Sequence, residues 1–215
     1  ITGATITGEA AIGMKSGTLN IVDSTIRGTG ESSDLDDSSS TSNGIVYDGS
    51  AIVIDSNVGY AGAMNITISG NSQITSDHST AIREIGNTAA QTNVVSLNIS
   101  GGTFSSPEGT DAVKVRGVTE KTVSISGGTF SSVVPPEYCA PGLKPVTENG
   151  VNTVGLNTDI FSEGTGTADN PYLISSVEQL EAFRNDVNTG NDYDGKYIKF
   201  KELAEGYPIS GTDTD

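Results

Sequence analysis

The phrase Ile99-Ser-Gly-Gly-Thr-Phe-Ser-Ser106 occurs a second time, unchanged, as Ile125-Ser-Gly-Gly-Thr-Phe-Ser-Ser132. A looser copy, Ile68-Ser-Gly-Asn-Ser-Gln-Ile-Thr-Ser76, precedes both. A companion phrase recurs as Ala81-Ile-Arg-Glu-Ile-Gly86 and Ala112-Val-Lys-Val-Arg-Gly117. Ile68 to Ile99 and Ala81 to Ala112 are both steps of 31 residues. Two phrases that keep one interval imply a repeated unit whose copies lie side by side.

Short runs of alternating apolar residues fill the repeats: Leu19-Asn-Ile-Val22, Ala51-Ile-Val-Ile54, Met64-Asn-Ile-Thr-Ile68, Leu97-Asn-Ile99 and Val123-Ser-Ile125. Such alternation suits half-buried strands, and the glycines that follow permit corners at positive φ. A second strand family includes Ala11-Ile-Gly-Met14, Gly44-Ile-Val-Tyr47, Ala81-Ile and Ala112-Val-Lys-Val115. The expected fold is therefore all-β, a right-handed parallel β-helix of the pectate-lyase-like solenoid kind with a small α/β element at its C-terminal end. Stacked copies would place Phe104 on Phe130 as an aromatic ladder and Ser100 on Ser126 as a hydroxyl ladder.

The expected domains are a β-helix over 1–155 with a cap at about 133–155, a linker over 156–170 and a strand–helix–strand element over 171–215. The cap follows from Val133-Val-Pro-Pro-Glu-Tyr-Cys-Ala-Pro-Gly-Leu-Lys-Pro145, which holds four of the seven prolines. The last element opens on Ser175-Ser-Val-Glu178, a capping-box pattern ahead of Val177, Leu180, Phe183 and Val187 at near-helical spacing. Gly190 closes that helix, and Lys196-Tyr-Ile-Lys-Phe200 reads as a strand. The chain begins in mid-pattern and ends in an acidic tail, which reads as a piece of a longer protein.

A net charge of −16 on 215 residues argues against nucleic acid and against an anionic membrane surface, both of which call for clustered Lys and Arg. No apolar run approaches the ~20 residues of a membrane-spanning helix. Cys139 is the one cysteine, which excludes an internal disulfide and a local zinc motif. A monomer without cofactor is expected, with calcium the one ion the acidic loops suggest.

The polar stretch from Gly28 to Gly44 reads as a long exposed loop carrying Asp34, Asp36 and Asp37, a weak calcium set. If a ligand is bound there, Asp34, Asp36, Asp37, Tyr47, Asp48 and Tyr60 are the candidate residues, because binding concentrates on loops held by a rigid frame. Asp186-Val-Asn-Thr-Gly-Asn-Asp-Tyr-Asp-Gly195 spaces oxygen donors like a calcium loop but lacks the terminal Glu, and reads as a helix-to-strand turn. Catalysis has thinner support. Asn157-Thr-Asp159 and Asp36-Asp37 echo polygalacturonase motifs in the wrong order, and Arg83, Glu84, Lys114 and Arg116 fall on aligned strands as charged groups of an outer face. His78 is the single histidine, in a polar corner. Threonine pairs such as Thr5 and Thr7 would suit ice binding only as a flat, regular array, and the alternation is not sustained from coil to coil.

The Ser-Gly-Gly-Thr-Phe repeats followed by Pro-Glu-Tyr-Cys-Ala-Pro-Gly-Leu resemble the β-helical repeat ectodomains of large adhesin-like cell-surface proteins of gut Firmicutes. Gly164-Thr-Gly-Thr-Ala-Asp-Asn-Pro-Tyr-Leu-Ile-Ser-Ser-Val-Glu-Gln-Leu180, with Gly195-Lys-Tyr-Ile198, is similar to the lead-in of repeat modules in bacterial adhesin-like proteins. The resemblance implies an extracellular, cell-surface, non-enzymatic module, adhesin-like or stalk-forming, with a host glycan or surface protein as partner. Two alternatives stand beside it: a polysaccharide-active lyase or hydrolase domain, and a passive spacer.

Overall fold

A computed structural model describes residues 1–32, 48–56, 62–85, 95–115, 121–140, 143–156, 159–188 and 190–201. Two compact units divide the chain, Ile1–Gly155 and Leu156–Asp215.

The first unit is built from strands β1 (Thr5–Gly8), β2 (Ile12–Met14), β3 (Gly17–Val22), β4 (Thr25–Gly28), β5 (Ile52–Asp55), β6 (Met64–Ser69) and β7 (Gln73–Ser76). They continue with β8 (Ile82–Ile85), β9 (Val95–Ser105), β10 (Val113–Lys114), β11 (Lys121–Phe130), β12 (Leu143–Glu148) and β13 (Val151–Leu156). Nine of these form one sheet, in which β1-β4-β7-β9-β11-β13-β12 is the main path and β3-β6-β9 a branch. A second sheet, β10-β8-β5-β2, is parallel throughout.

The repeats set the register. Ile68 stands opposite Ile99, and Ile99 opposite Ile125. The companion phrases pair as Ile82 with Val113 and Arg83 with Lys114. Like therefore meets like across strands, and apolar columns result, among them Ile21-Ile68-Ile99-Ile125, Leu19-Ile66-Leu97-Val123, Ile6-Ile26-Ile74-Phe104-Phe130 and Ile12-Ile52-Ile82-Val113. Most members are fully buried and belong to one core. Burying each such side chain contributes about 1.5–3 kcal/mol. Phe104 and Phe130 stack as expected, with centroids 4.9 Å apart and planes 10° from parallel. Ser100 and Ser126 do not form a ladder. A register shift between Ile125 and Gly127 sets Gly127 opposite Ser100, and the Ser126 hydroxyl donates instead to the Ile99 carbonyl at 3.4 Å.

The expected right-handed parallel β-helix is not the fold, and neither is a purely all-β class. No closed solenoid is evident. The main sheet is mixed, because β13 runs antiparallel to β11. The Ser-Gly-Gly segment, expected to be a corner between separate faces, lies inside a single strand. β9 runs unbroken from Val95 to Ser105 and pairs with both β6 and β7. Gly102 at φ +106° and Gly128 at φ +113° bend β9 and β11 without ending them, so the segments on either side of each Ser-Gly-Gly lie in one sheet, while β2, β8 and β10 of the second strand family stand with β5 in the other. With the helix of the second unit, the result is α/β-like: one mixed nine-stranded sheet and two smaller parallel sheets.

After β11 the prolines form a short 3₁₀ turn, Pro136–Tyr138. The Tyr138 hydroxyl donates to the Val115 carbonyl at 2.9 Å and accepts from the Val115 amide at 3.1 Å. Cys139 is a half-buried free thiol. Asn149 and Gly150, both at positive φ, make the type I′ turn that joins β12 to β13.

The second unit pairs β14 (Tyr172–Ile174) in parallel with β15 (Ile198–Phe200), with helix α1 (Val177–Asn188) between them in sequence. The helix cap is shifted by one residue from the expected box. Ser176 Oγ accepts from the Gln179 amide at 3.2 Å, while Gln179 Oε1 accepts from the Ser175 amide at 2.8 Å. Gln179, rather than Glu178, takes the N3 role, and it is buried. Phe161 stacks on Tyr172 at 4.2 Å, and Phe183 and Tyr193 complete an aromatic cluster. Asp186 accepts from Tyr193 Oη and from Asn191 Nδ2, both at 2.6 Å, so the loop expected to be a helix-to-strand turn closes on the helix's own carboxylate.

Phe104→Ala removes one of the two stacked rings and should lower the unfolding free energy by about 3–5 kcal/mol, read from the shift in urea midpoint. The same truncation at exposed Val133 should change stability by less than about 0.5 kcal/mol. The hydrogen bond to Asp186, followed by desolvation, pushes the Tyr193 phenol up to about 12. The folded state thus favours the protonated phenol. Its contribution is whole below the ordinary phenol value near 10 and is lost as pH climbs through about 12. Phenolate absorbance should show a tyrosine titrating near 12 that is absent in Tyr193→Phe.

Candidate functional site

Of the residues expected to bind a ligand, Asp34, Asp36, Asp37, Tyr47 and Tyr60 lie outside the described residues, as does Arg116. Asp48 is described, and it is a buried group rather than an open loop acid, only 4% exposed. Its Oδ2 accepts from Arg83 Nη1 at 2.6 Å and from Ser50 Oγ at 3.0 Å. Ser50 Oγ in turn meets Ser79 Oγ at 3.3 Å, the Ser79 amide donates to Ser76 Oγ at 2.8 Å, and Ser76 Oγ donates to the Gly49 carbonyl at 2.7 Å. A carboxylate–guanidinium pair is thus held in the fold by a relay of hydroxyls. Gly49 allows the approach, because a Cβ there would overlap the Gly30 carbonyl.

Asp48 Oδ1 is buried and makes no hydrogen bond. Asp48 also lines an open polar pocket of about 510 Å³ with Glu9, Ala10, Thr29, Gly30, Glu31 and Gly49. At its rim, His78 Nε2 lies 3.8 Å from Glu31 Oε1. Among the described residues, no group of three or more His, Cys, Asp or Glu side chains converges as a metal site.

Of the charged strand residues expected on an outer face, Lys114 is exposed, but Arg83 and Glu84 are buried. Arg83 stands in the column Val53-Arg83-Lys114 and is buried against Asp48. Glu84 is fully buried in the inward column, opposite Ile54. Asp55 is likewise buried and pairs with Lys15 at 3.2 Å. The Tyr138 phenol is pushed up by burial and, in smaller part, by the charges of Glu137, Glu84 and Asp111. Burial, together with Glu137, also raises the Cys139 thiol, which keeps it from serving as a ready nucleophile.

A second concave surface was not legible as a site. Gly70, Asn71, Gln73, Gly101, Gly102, Thr103, Gly128 and Thr129 line a groove of about 460 Å³ that crosses β7, β9 and β11. Its glycines form the floor, with the Phe104 and Phe130 rings beneath: a Cβ on Gly128 would come within 3.3 Å of both. Gln73, Thr103 and Thr129 are consecutive rungs of one column, which continues outward through Thr25 to Thr5. On the branch of the sheet, the outward residues form two further columns, Thr18-Asn65-Ser96-Thr122 and Asn20-Thr67-Asn98-Ser124. None of these thirteen positions is charged, in a chain of net charge −16. The hint in the sequence was the Ser-Gly-Gly-Thr repeat, but only the register shows that Gln73 belongs to the same column.

No helix among the described residues is long and apolar enough to cross a membrane. No protein-family model matches the chain, and no curated protein or solved structure matches it significantly.

Arg83→Met leaves Asp48 charged and buried without its counter-ion and should destabilise the first unit by about 3–5 kcal/mol in denaturant titration. Adding Asp48→Asn should recover part of that loss, because the stranded charge is then gone.

Proposed function

We propose that this chain is a non-enzymatic, extracellular cell-surface module of adhesin-like or stalk-forming kind, which binds a glycan or a host surface protein by many weak contacts. The observation that carries the reading is the in-register repetition of outward polar side chains on stacked strands. A repeated group at the strand spacing of about 4.8 Å offers equivalent contacts to a repetitive partner. Linked contacts of this kind gain by effective concentration, so a weak single contact becomes useful avidity. The resemblance of the Ser-Gly-Gly-Thr-Phe repeats to adhesin-like ectodomains of gut Firmicutes supports the extracellular placement, and the acidic, lysine-poor composition agrees with a partner other than nucleic acid. Calcium remains an optional ligand of the acidic loop segments in this reading, and the protein acts as a monomer.

One observation favours a second reading. Glu9, Glu31 and Asp48 line one pocket, and a polysaccharide-active domain needs two carboxylates facing a common cleft. Asp48 is committed to Arg83, which leaves Glu9 and Glu31 as the pair such an enzyme would use.

The test is binding of the labelled chain to immobilised mucins, matrix proteins and plant polysaccharides at graded surface densities, with and without calcium. Saturable binding that steepens with ligand density is the expected result. Binding to none of them would sink the adhesin-like reading in favour of a spacer. Release of reducing ends from any polysaccharide, abolished by Glu31→Gln, would overturn it in favour of the enzyme.

A further inference from the structure

We infer that the glycine-floored groove across β7, β9 and β11 is the binding site for a chain of uncharged polysaccharide, running across the strands with one sugar on each rung. This rests on the module reading above and names its ligand class and site.

Four observations converge on it. First, all eight residues lining the groove are neutral, although Asp and Glu outnumber Lys and Arg by 27 to 11 in the chain. A polyanion such as a uronic-acid polymer would meet no cation in the groove and a repulsive field around it. Second, the side chains of Asn71, Gln73, Thr103 and Thr129 make no hydrogen bond to other described residues, and Asn71, Gln73 and Thr103 are exposed. Neutral donors and acceptors in this state match sugar hydroxyls, which act as both. Third, Gly70, Gly101, Gly102 and Gly128 line the groove with bare main chain, packed so closely that a Cβ would crowd Asp23 Oδ1 beside Gly70 and neighbouring backbone carbonyls beside the other three. Fourth, Gln73, Thr103 and Thr129 repeat at the strand spacing of about 4.8 Å, comparable with the length of one pyranose in an extended β-linked chain.

A peptide is the poorer fit. Peptide grooves recognise side chains through apolar pockets or add a strand to a free sheet edge, and this groove crosses the interior rungs of a sheet with the aromatic rings sealed below. The buried ion pair is not involved: Asp48 and Arg83 lie outside the groove lining.

The experiment is affinity electrophoresis of the full chain in gels containing neutral glucan, mannan, xylan or galactan, with polygalacturonate and alginate as acidic polymers. At least one neutral polymer should retard the chain, equally at low and high salt, because no ion pair contributes. Thr103→Glu and Thr129→Glu should each weaken that binding about tenfold or more, which corresponds to roughly 1.4 kcal/mol. Thr103→Val should weaken it less, and Ala168→Glu, at an exposed position of the second unit, should leave it unchanged. Unaltered melting temperatures would confirm that the variants remain folded. Retardation by acidic polymers alone, or neutral-polymer binding that survives both Glu substitutions, overturns the assignment. If no neutral polymer binds but a mucin or matrix protein does, this inference fails and the module reading stands. If nothing binds, both fail.

Discussion

In-register parallel pairing is the constraint from which the rest of the first unit follows. Once Ile68, Ile99 and Ile125 stand opposite one another, every second residue of those strands points into the core and every other one points out. A slip of one residue would expose the isoleucines and bury Asn65, Thr67 and Asn98. The same rule that builds the apolar columns therefore builds the polar ones, and the outward hydroxyl and amide rows are as regular as the isoleucine rows behind them. Aromatic stacking at Phe104 and Phe130 locks the register at one end of β9 and β11, where glycines would otherwise loosen it.

Between strands, serine hydroxyls satisfy the backbone where the ladder is interrupted. Ser72 donates to the Ser69 carbonyl at 2.7 Å, and Ser24 donates to the Val22 carbonyl at 2.8 Å. Ser106 and Ser132 accept from the amides of Ala81 and Ala112, each at 2.8 Å. These bonds link residues 2 to 25 positions apart and tie successive layers as well as single turns. Each is worth about 1 kcal/mol net, but a buried amide left without such a partner would cost more. The serine-rich composition, which in isolation suggests solvated loops, is here part of the frame. Arg83 and Asp48 extend the same logic to charge: the buried ion pair is supported by the Ser50 hydroxyl, which donates to the same carboxylate oxygen as Arg83.

The 31-residue interval made the pairing of Ile68 with Ile99 and of Ala112's strand with Ala81's legible before any coordinates. The closure of those strands into a solenoid was not. Whether a Ser-Gly-Gly segment ends a strand or bends within it depends on a few tens of degrees at Gly102 and Gly128, and both outcomes carry the same residues. Glu84 shows a second limit: its place in an apolar column is invisible to alternation, which assigns charges outward. The groove was hidden for a different reason. Its lining comes from three strands separated by 26 and 30 residues, and Gln73 resembles neither threonine with which it aligns. Site residues assigned to loops failed to gather where they were expected: Asp48, the one described member, is structural as well as pocket-lining.

The spacing of paired strands also dictates an order of events in folding. Thr5 finds Thr25 twenty residues on, Thr25 finds Gln73 forty-eight on, and Gln73 finds Thr103 thirty on. Each of those pairings must close a long loop before any hydrogen bond rewards it. Among the described strands of the first unit, the Asn149-Gly150 turn alone joins paired neighbours directly, and a hairpin of that kind forms in microseconds. The fast local element therefore sits at the C-terminal edge of the sheet, the last part of the unit to leave the ribosome. Each earlier strand waits twenty residues or more for its partner to be made, and a chain in that position depends on its many charges to stay dispersed in the interval.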